Sequence, residues 1–303
     1  MNIAAIGTAG DTFEAEEQIM KFKQQIVQCL GPSGLHRMAY TEWGARDNPR
    51  VLICVHGLTR NGRDFDALAE AMSGHYRVIC PDVVGRGQSG HLRDPAAYGI
   101  AQYVADMVTL IARLNVDTVH WVGTSMGGLI GMALGAQEGT PIRKMVLNDV
   151  GPVITAESLQ RIGTYVGTNP DWATFEEALA FVKFVSEPFG ALTEAQWYHL
   201  TETSIAQSSD GRWRFRYDPR IAEPFRAAFA DKDVDLWPMY EQIKCPTLAI
   251  RGAQSDLLTR ETWQKMASCG PRAKLAEIEG VGHAPMFQSE DQIAVVRDFL
   301  LSA

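Results

Sequence analysis

Residues 119–134 read VHWVGTSMGGLIGMAL: an apolar run that ends at Val122, then four glycines gathered around one serine, Ser125. Glycine weakens a helix or strand interior by roughly 0.5–1 kcal/mol relative to alanine, so such a cluster implies a geometric requirement. The pattern Gly123-Thr-Ser-Met-Gly127 suits a sharp turn from a strand into a helix. In that turn the serine takes strained backbone angles, and glycines two residues to either side remove side chains that would collide with neighbouring chain. The hydroxyl then stands at the C-terminal edge of a sheet, beside a helix N-terminus whose amides and dipole favour negative charge. Gly127, Gly131 and Gly135 recur at i, i+4 and i+8, on one helix face, which lets the helix lie close against the sheet.

Outward from this turn, apolar strand-like runs alternate with amphipathic helices. VLICV (51–55), a helical stretch from about Asp64, YRVIC (76–80), a helix over 100–114, TVHWV (118–122), a helix from Met126 to about Gln137 and KMVLND (144–149) follow one another. Short continuous apolar strands separated by helices predict a parallel sheet covered on both faces, an α/β architecture. From Gly151-Pro152 the strand-like runs stop, and residues 152–237 read as a helical insertion rich in aromatics, from Trp172 and Phe175 to Phe225 and Phe229. The sheet rhythm resumes with CPTLAIRG (245–252), a helix from about Thr259, AKLAEIEG (273–280) and a last helix from Ser289, where Ser289 and Gln292 suit a capping box. Residues 34–151 and 238–303 therefore form the predicted core. Residues 1–33 read as a helical extension, amphipathic from Glu14 to Leu30 and closed by GPSG, before HRMAYTEWG (36–44) alternates like a strand.

The 303 residues are 46% hydrophobic and 21% charged, the composition of an ordinary soluble globular protein. A net charge of -8 argues against nucleic acid or an anionic membrane surface as partner. No apolar run approaches the ~20 residues of a membrane span, and the N-terminus turns acidic where a secretory leader would be cationic and apolar. The five cysteines lack CxxC spacing and read as thiols in a reducing cytoplasm rather than a disulfide or metal framework. The oligomeric state stays open.

A serine hydroxyl needs a base to take its proton and a third group to hold that base. His283, in the loop GVGHAPMF after the last strand-like run, is the candidate base; His36, His75, His91, His120 and His199 read as structural or solvated. Asp256, in RGAQSDLLT after the 247–252 strand, is the expected carboxylate, with Asp149 at the end of a neighbouring strand as its rival. The negative oxygen formed during attack needs donors, and the backbone N–H groups of Leu58 and Met126 are expected to supply them. His56 reads as an organiser of that loop, and DVVGRGQS (82–89) as a turn stabilised by Asp82 and Ser89. Arg60, two residues past Leu58, offers a charge for a substrate carboxylate.

Together, HG (56–57), DVVGRGQS (82–89), GTSMGG (123–128), a strand-end Asp256 and GVGHAP (280–285) resemble the α/β-hydrolase family, over nearly all of the chain beyond its first 30 or so residues. The order Ser, Asp, His agrees with that family. The resemblance implies a mainly parallel eight-stranded sheet, a helical lid inserted after the sixth strand (residues 152–237 here), and no cofactor; no metal is expected at the site. Relatives that place aspartate at the elbow cleave by another covalent route, whereas this chain has Ser125. The implied activity is hydrolysis of a small to medium, partly apolar carboxylic ester or lactone through an acyl-enzyme on Ser125. Two alternatives stand beside it: a carbon–carbon hydrolase of the meta-cleavage type, although Ala284 follows His283 where that group has tryptophan, and a non-catalytic ligand-binding protein of this fold.

Overall fold

The run that leads into Ser125 is an inner strand of an eight-stranded sheet. In the computed structural model, which describes residues 21–224 and 232–302, the sheet consists of β1 (Phe22–Gly31), β2 (Gly34–Trp43), β3 (Val51–Val55), β4 (Arg77–Pro81), β5 (Val119–Thr124), β6 (Ile142–Asn148), β7 (Thr247–Gly252) and β8 (Lys274–Ile278). Their order is β1-β2-β4-β3-β5-β6-β7-β8. Strands β3 to β8 run parallel, and β2 is antiparallel to both β1 and β4. Every residue of β3, β4 and β7 is buried, which suits the unbroken apolar run of β3 and the largely apolar β4 and β7, whose buried Arg77 and Arg251 pair with Glu42 and Glu277.

Alternate residues of each strand feed two apolar layers. Trp121 points into the layer shared with α2 (Ile100–Leu114) and α3 (Met126–Gly135). Its neighbour Val122 points into the layer shared with α1 (Asp66–Met72) and the C-terminal helix Glu290–Leu301. The parallel α/β core expected from the sequence is therefore present, and no helix among the described residues is long and apolar enough to cross a membrane.

Three expectations are corrected. The stretch assigned to an N-terminal helix is strand β1 over its second half; residues 1–20 lie outside the described residues. Buried Val27 and Cys29 alternate with exposed Ile26, Gln28 and Leu30, a period of two, and GPSG is the hairpin turn that pairs Gly31 with Gly34. The insertion between β6 and β7 contains helices α4 (Ala156–Tyr165), α5 (Phe175–Val185) and α6 (Glu194–Ser204), but also a small antiparallel sheet of Asp171–Trp172, Trp213–Phe215 and Ile205–Gln207. Its aromatics pack on one another, Trp172 against Phe181 and Phe215 and Phe175 against Tyr198 and Trp213, so they form the insertion's own core. Phe225 and Phe229 lie outside the described residues. Finally, the expected capping box does not form: Ser289 makes no capping bond, its side chain bonds Asp291, and Gln292 Oε1 accepts from the Phe287 N–H at 2.8 Å.

The glycines around Ser125 meet neighbouring backbone. A Cβ on Gly127 would lie 1.9 Å from the Val55 carbonyl oxygen, and one on Gly123 2.3 Å from that of Gly127. A Cβ on Gly74 would meet nothing within 4 Å. Gly127→Ala is expected to lower stability by about 3 kcal/mol or to prevent folding, and Gly74→Ala to leave the urea midpoint near that of the parent; equal midpoints for the two variants would contradict this packing.

Candidate active site

Ser125 sits between β5 and α3 with φ +52° and ψ −116°, a strained conformation for a residue with a side chain. Its amide donates to the Asn148 carbonyl at 3.0 Å, and its own carbonyl accepts from the Gly128 and Leu129 amides in the first turn of α3. Ser125 Oγ lies 3.0 Å from His283 Nε2, and His283 Nδ1 lies 2.7 Å from Asp149 Oδ2. Since the Asp149 carboxylate is an acceptor, Nδ1 carries the proton, leaving Nε2 free to accept from the serine hydroxyl.

Asp149 is fully buried and lies one residue past the end of β6. Its carboxylate accepts from the Gly252 amide at 2.9 Å and from Ser255 Oγ at 2.6 Å, in addition to His283. The carboxylate opposite His283 is thus Asp149, and the expectation for Asp256 is corrected. Asp256 turns outward, its side chain 55% exposed and paired with Arg161 on α4 at 2.9 Å. The turn after β7 closes early, with the Ser255 amide bonded to the Gly252 carbonyl at 2.8 Å, and this brings Ser255 rather than Asp256 to the site. Strand register held the signal: Thr124 pairs with Asn148 across β5 and β6, so Ser125 and Asp149 are the next residues at the same level.

Asn148 has a part that sequence reading missed. Its Nδ2 donates to Thr124 Oγ1 at 2.9 Å and to the Pro285 carbonyl at 2.8 Å, tying the strand before Ser125 to the loop that carries His283. The neighbouring residues 56–60 run against the serine, for a Cβ on Gly57 would sit 3.7 Å from Ser125 Cβ. His56 holds this loop by donating from Nδ1 to the Gly57 carbonyl at 2.7 Å and accepting the Val83 amide on Nε2 at 2.9 Å. Burial pushes its pKa down to about 3, so it stays neutral and organises the loop. Asp82 accepts from the Gly62 and Gln88 amides while Ser89 Oγ donates to the Asp82 carbonyl, the turn-stabilising role expected of both. Burial raises the Asp82 pKa to about 6 despite the amide bonds it accepts. Arg60 is already engaged, bonded twice to Asp64 at 2.9 and 2.6 Å.

The insertion touches this edge directly. The Gly282 amide, next to His283, donates to the Pro188 carbonyl at 2.7 Å, and Asn61 Nδ2 donates to the Thr203 carbonyl at 3.0 Å. Away from the serine, Cys29, His36 and Asp106 form a buried group of metal-ligand types between the β1–β2 hairpin and α2. Burial and the nearby Asp106 push the Cys29 thiol up to about 12, which opposes the thiolate a metal requires.

A family model described as the alpha/beta hydrolase fold matches residues 50–290. This chain is an α/β hydrolase. It is 51% identical to a 3-hydroxybutyrate-oligomer hydrolase of Cupriavidus necator, over 92% of this chain and 97% of that one. Lipase 1 of Psychrobacter immobilis is 25% identical, over 97% and 88% of the two chains. The crystal structure of an alpha/beta hydrolase from Novosphingobium aromaticivorans superposes with a TM-score of 0.82 at 36% identity, over 92% of this chain and 98% of that one. The α/β hydrolase is an ester-cleaving serine hydrolase acting on a small molecule.

Asp149→Asn is expected to cut kcat by up to ~10⁴-fold, because the imidazole loses both its tautomer and the charge that stabilises its protonated form. Asp256→Asn is expected to change kcat by less than about threefold, as for a surface ion pair. Steady-state rates on a p-nitrophenyl ester decide this, and a large loss from Asp256→Asn alone would contradict it.

Proposed function

We propose that this chain hydrolyses short oligoesters of 3-hydroxybutyrate, with Ser125 as nucleophile, His283 as general base and acid, and Asp149 as the group that orients and stabilises the imidazole. The hydrogen-bonded series from Ser125 Oγ through the His283 ring to Asp149 carries the chemical reading. The 51% identical relative, which aligns over nearly its whole length, supports the choice of substrate.

In the first half-reaction Oγ attacks the ester carbonyl as His283 Nε2 takes its proton, and the carbonyl electrons move onto oxygen. The amides of Leu58 and Met126 receive that oxyanion, Met126 at the first turn of α3 and Leu58 on the loop against Ser125. Collapse of the intermediate expels the hydroxyl end of the departing unit, which takes the proton from Nε2. A water then gives its proton to Nε2 and attacks the acyl-enzyme, releasing a 3-hydroxybutyryl carboxylic acid and returning the proton to Oγ. Asp149 stays ionised throughout. No step calls for a cofactor or a metal.

Residues 152–237 serve in this reading as a lid, supported by the bonds from Gly282 to Pro188 and from Asn61 to Thr203. A reducing cytoplasm fits the five free cysteines, Cys29, Cys54 and Cys80 of which are buried.

Incubation with the linear dimer and trimer of 3-hydroxybutyrate, β-butyrolactone, a vinylogous diketone and p-nitrophenyl esters of increasing length tests the assignment. Release of 3-hydroxybutyrate from dimer and trimer is expected, and Ser125→Ala should abolish it. Intact oligomers beside rapid p-nitrophenyl ester cleavage would overturn the substrate, whereas activity retained by Ser125→Ala would overturn the nucleophile.

A further inference from the structure

Arg86 occupies the middle of the turn DVVGRGQS and is fully buried, although arginine seldom is. Its guanidinium takes part in no ion pair among the described residues. Instead Nε donates to the Leu58 carbonyl at 2.8 Å, Nη1 donates to the Val84 carbonyl at 2.8 Å and to the Tyr103 hydroxyl at 2.9 Å, and Nη2 faces Met126 Sδ at 3.7 Å. The rings of Tyr98 and Tyr103 lie 5.8 and 5.1 Å from its Cζ. A buried cation without a counter-anion is costly, and a turn that needed only hydrogen bonds could be held by a neutral donor. Its contacts converge on Leu58 and Met126, which belong to separate elements, the loop after β3 and the start of α3.

We propose that Arg86 is a positioning residue for the oxyanion pocket, a single planar fork that fixes Leu58 and Met126 relative to each other and keeps an unneutralised positive charge close to both. The proposal rests on the reading that the amides of those two residues receive the oxyanion. The neutral ester carbonyl of the ground state gains little from the Arg86 charge. The negative oxygen of the tetrahedral intermediate gains more, because the surroundings are of low dielectric and the dipoles are already oriented. Lysine cannot reproduce this arrangement: its ammonium is a point donor and cannot span Leu58, Val84, Tyr103 and Met126 together.

The test compares Arg86→Lys and Arg86→Gln with the parent enzyme in four measurements: kcat and KM on p-nitrophenyl acetate, inhibition by an aryl trifluoromethyl ketone that adds to the serine as a hemiketal oxyanion, fluorophosphonate titration of active serine, and melting temperature. Per titrated site, kcat is expected to fall by about 10- to 100-fold in both variants while KM stays within about twofold, because the loss lies in the transition state. Affinity for the trifluoromethyl ketone should fall by the same factor as kcat/KM. Should both variants fail to fold, Met126→Leu carries the test, since it removes the sulfur that faces Nη2 and keeps the amide; a fall of about two- to fivefold in kcat and in inhibitor affinity is expected. The proposal is overturned if KM alone changes, if kcat per titrated site is unchanged, or if inhibitor affinity stays at the parent value while kcat falls. Hydrolysis retained by Ser125→Ala would instead overturn the underlying assignment of the nucleophile.

Discussion

At the end of β5 the chain must turn from strand to helix within one residue and leave a hydroxyl on the outside of that turn. Ser125 accommodates it at φ +52° and ψ −116°. The conformation persists because Gly123 and Gly127 allow backbone to approach where a Cβ would overlap it, at 2.3 Å from the Gly127 oxygen and 1.9 Å from the Val55 oxygen. Strain of this kind costs of order 1–3 kcal/mol and survives only where surrounding structure over-determines it. Here the determinants are the fully buried strand β3 beside β5, the bond from the Ser125 amide to Asn148, and the first turn of α3 closing on the Ser125 carbonyl. Once the elbow is set, the serine hydroxyl, the start of α3 and the Leu58 loop share one edge of the sheet.

The parallel arrangement of the neighbouring strands then supplies the partners. Parallel strands end at the same edge, so the residue after β6 and the loop after β8 arrive beside the elbow without any long excursion. Asn148 and Asp149, adjacent in sequence, divide the work: Asn148 binds Thr124 and Pro285, and Asp149 binds His283. The loop after β7 contributes donors, Ser255 Oγ and the Gly252 amide, which bond the buried Asp149 carboxylate and fix its orientation towards His283.

Much of this was legible in the sequence because the constraints are local. The G-x-S-x-G turn, the largely apolar inner strands and the loop histidine each follow from the chemistry of a few adjacent residues. What was not legible depends on geometry between segments. Asp149 and Asp256 both follow strands that end at the catalytic edge, and only the early turn at Ser255 decides which carboxylate faces inward. Strand β1 was hidden because its first half, Phe22 to Ile26, buries no side chain fully and so lacks an apolar alternation. Its partner β2 stabilises it along the full length of the hairpin. The sequence showed the insertion's aromatics but not their partners, and Trp172, Phe181 and Phe215 meet one another in a core of the insertion.

A crystal structure of the enzyme inactivated by a p-nitrophenyl alkylphosphonate examines this arrangement most directly, since the adduct copies the tetrahedral intermediate. Phosphorus is expected on Ser125 Oγ, with the phosphoryl oxygen about 2.7–3.1 Å from the amide nitrogens of Leu58 and Met126 and the His283 ring still bonded to Asp149. Phosphorus on another residue, a phosphoryl oxygen directed to solvent, or His283 turned towards Asp256 would contradict it.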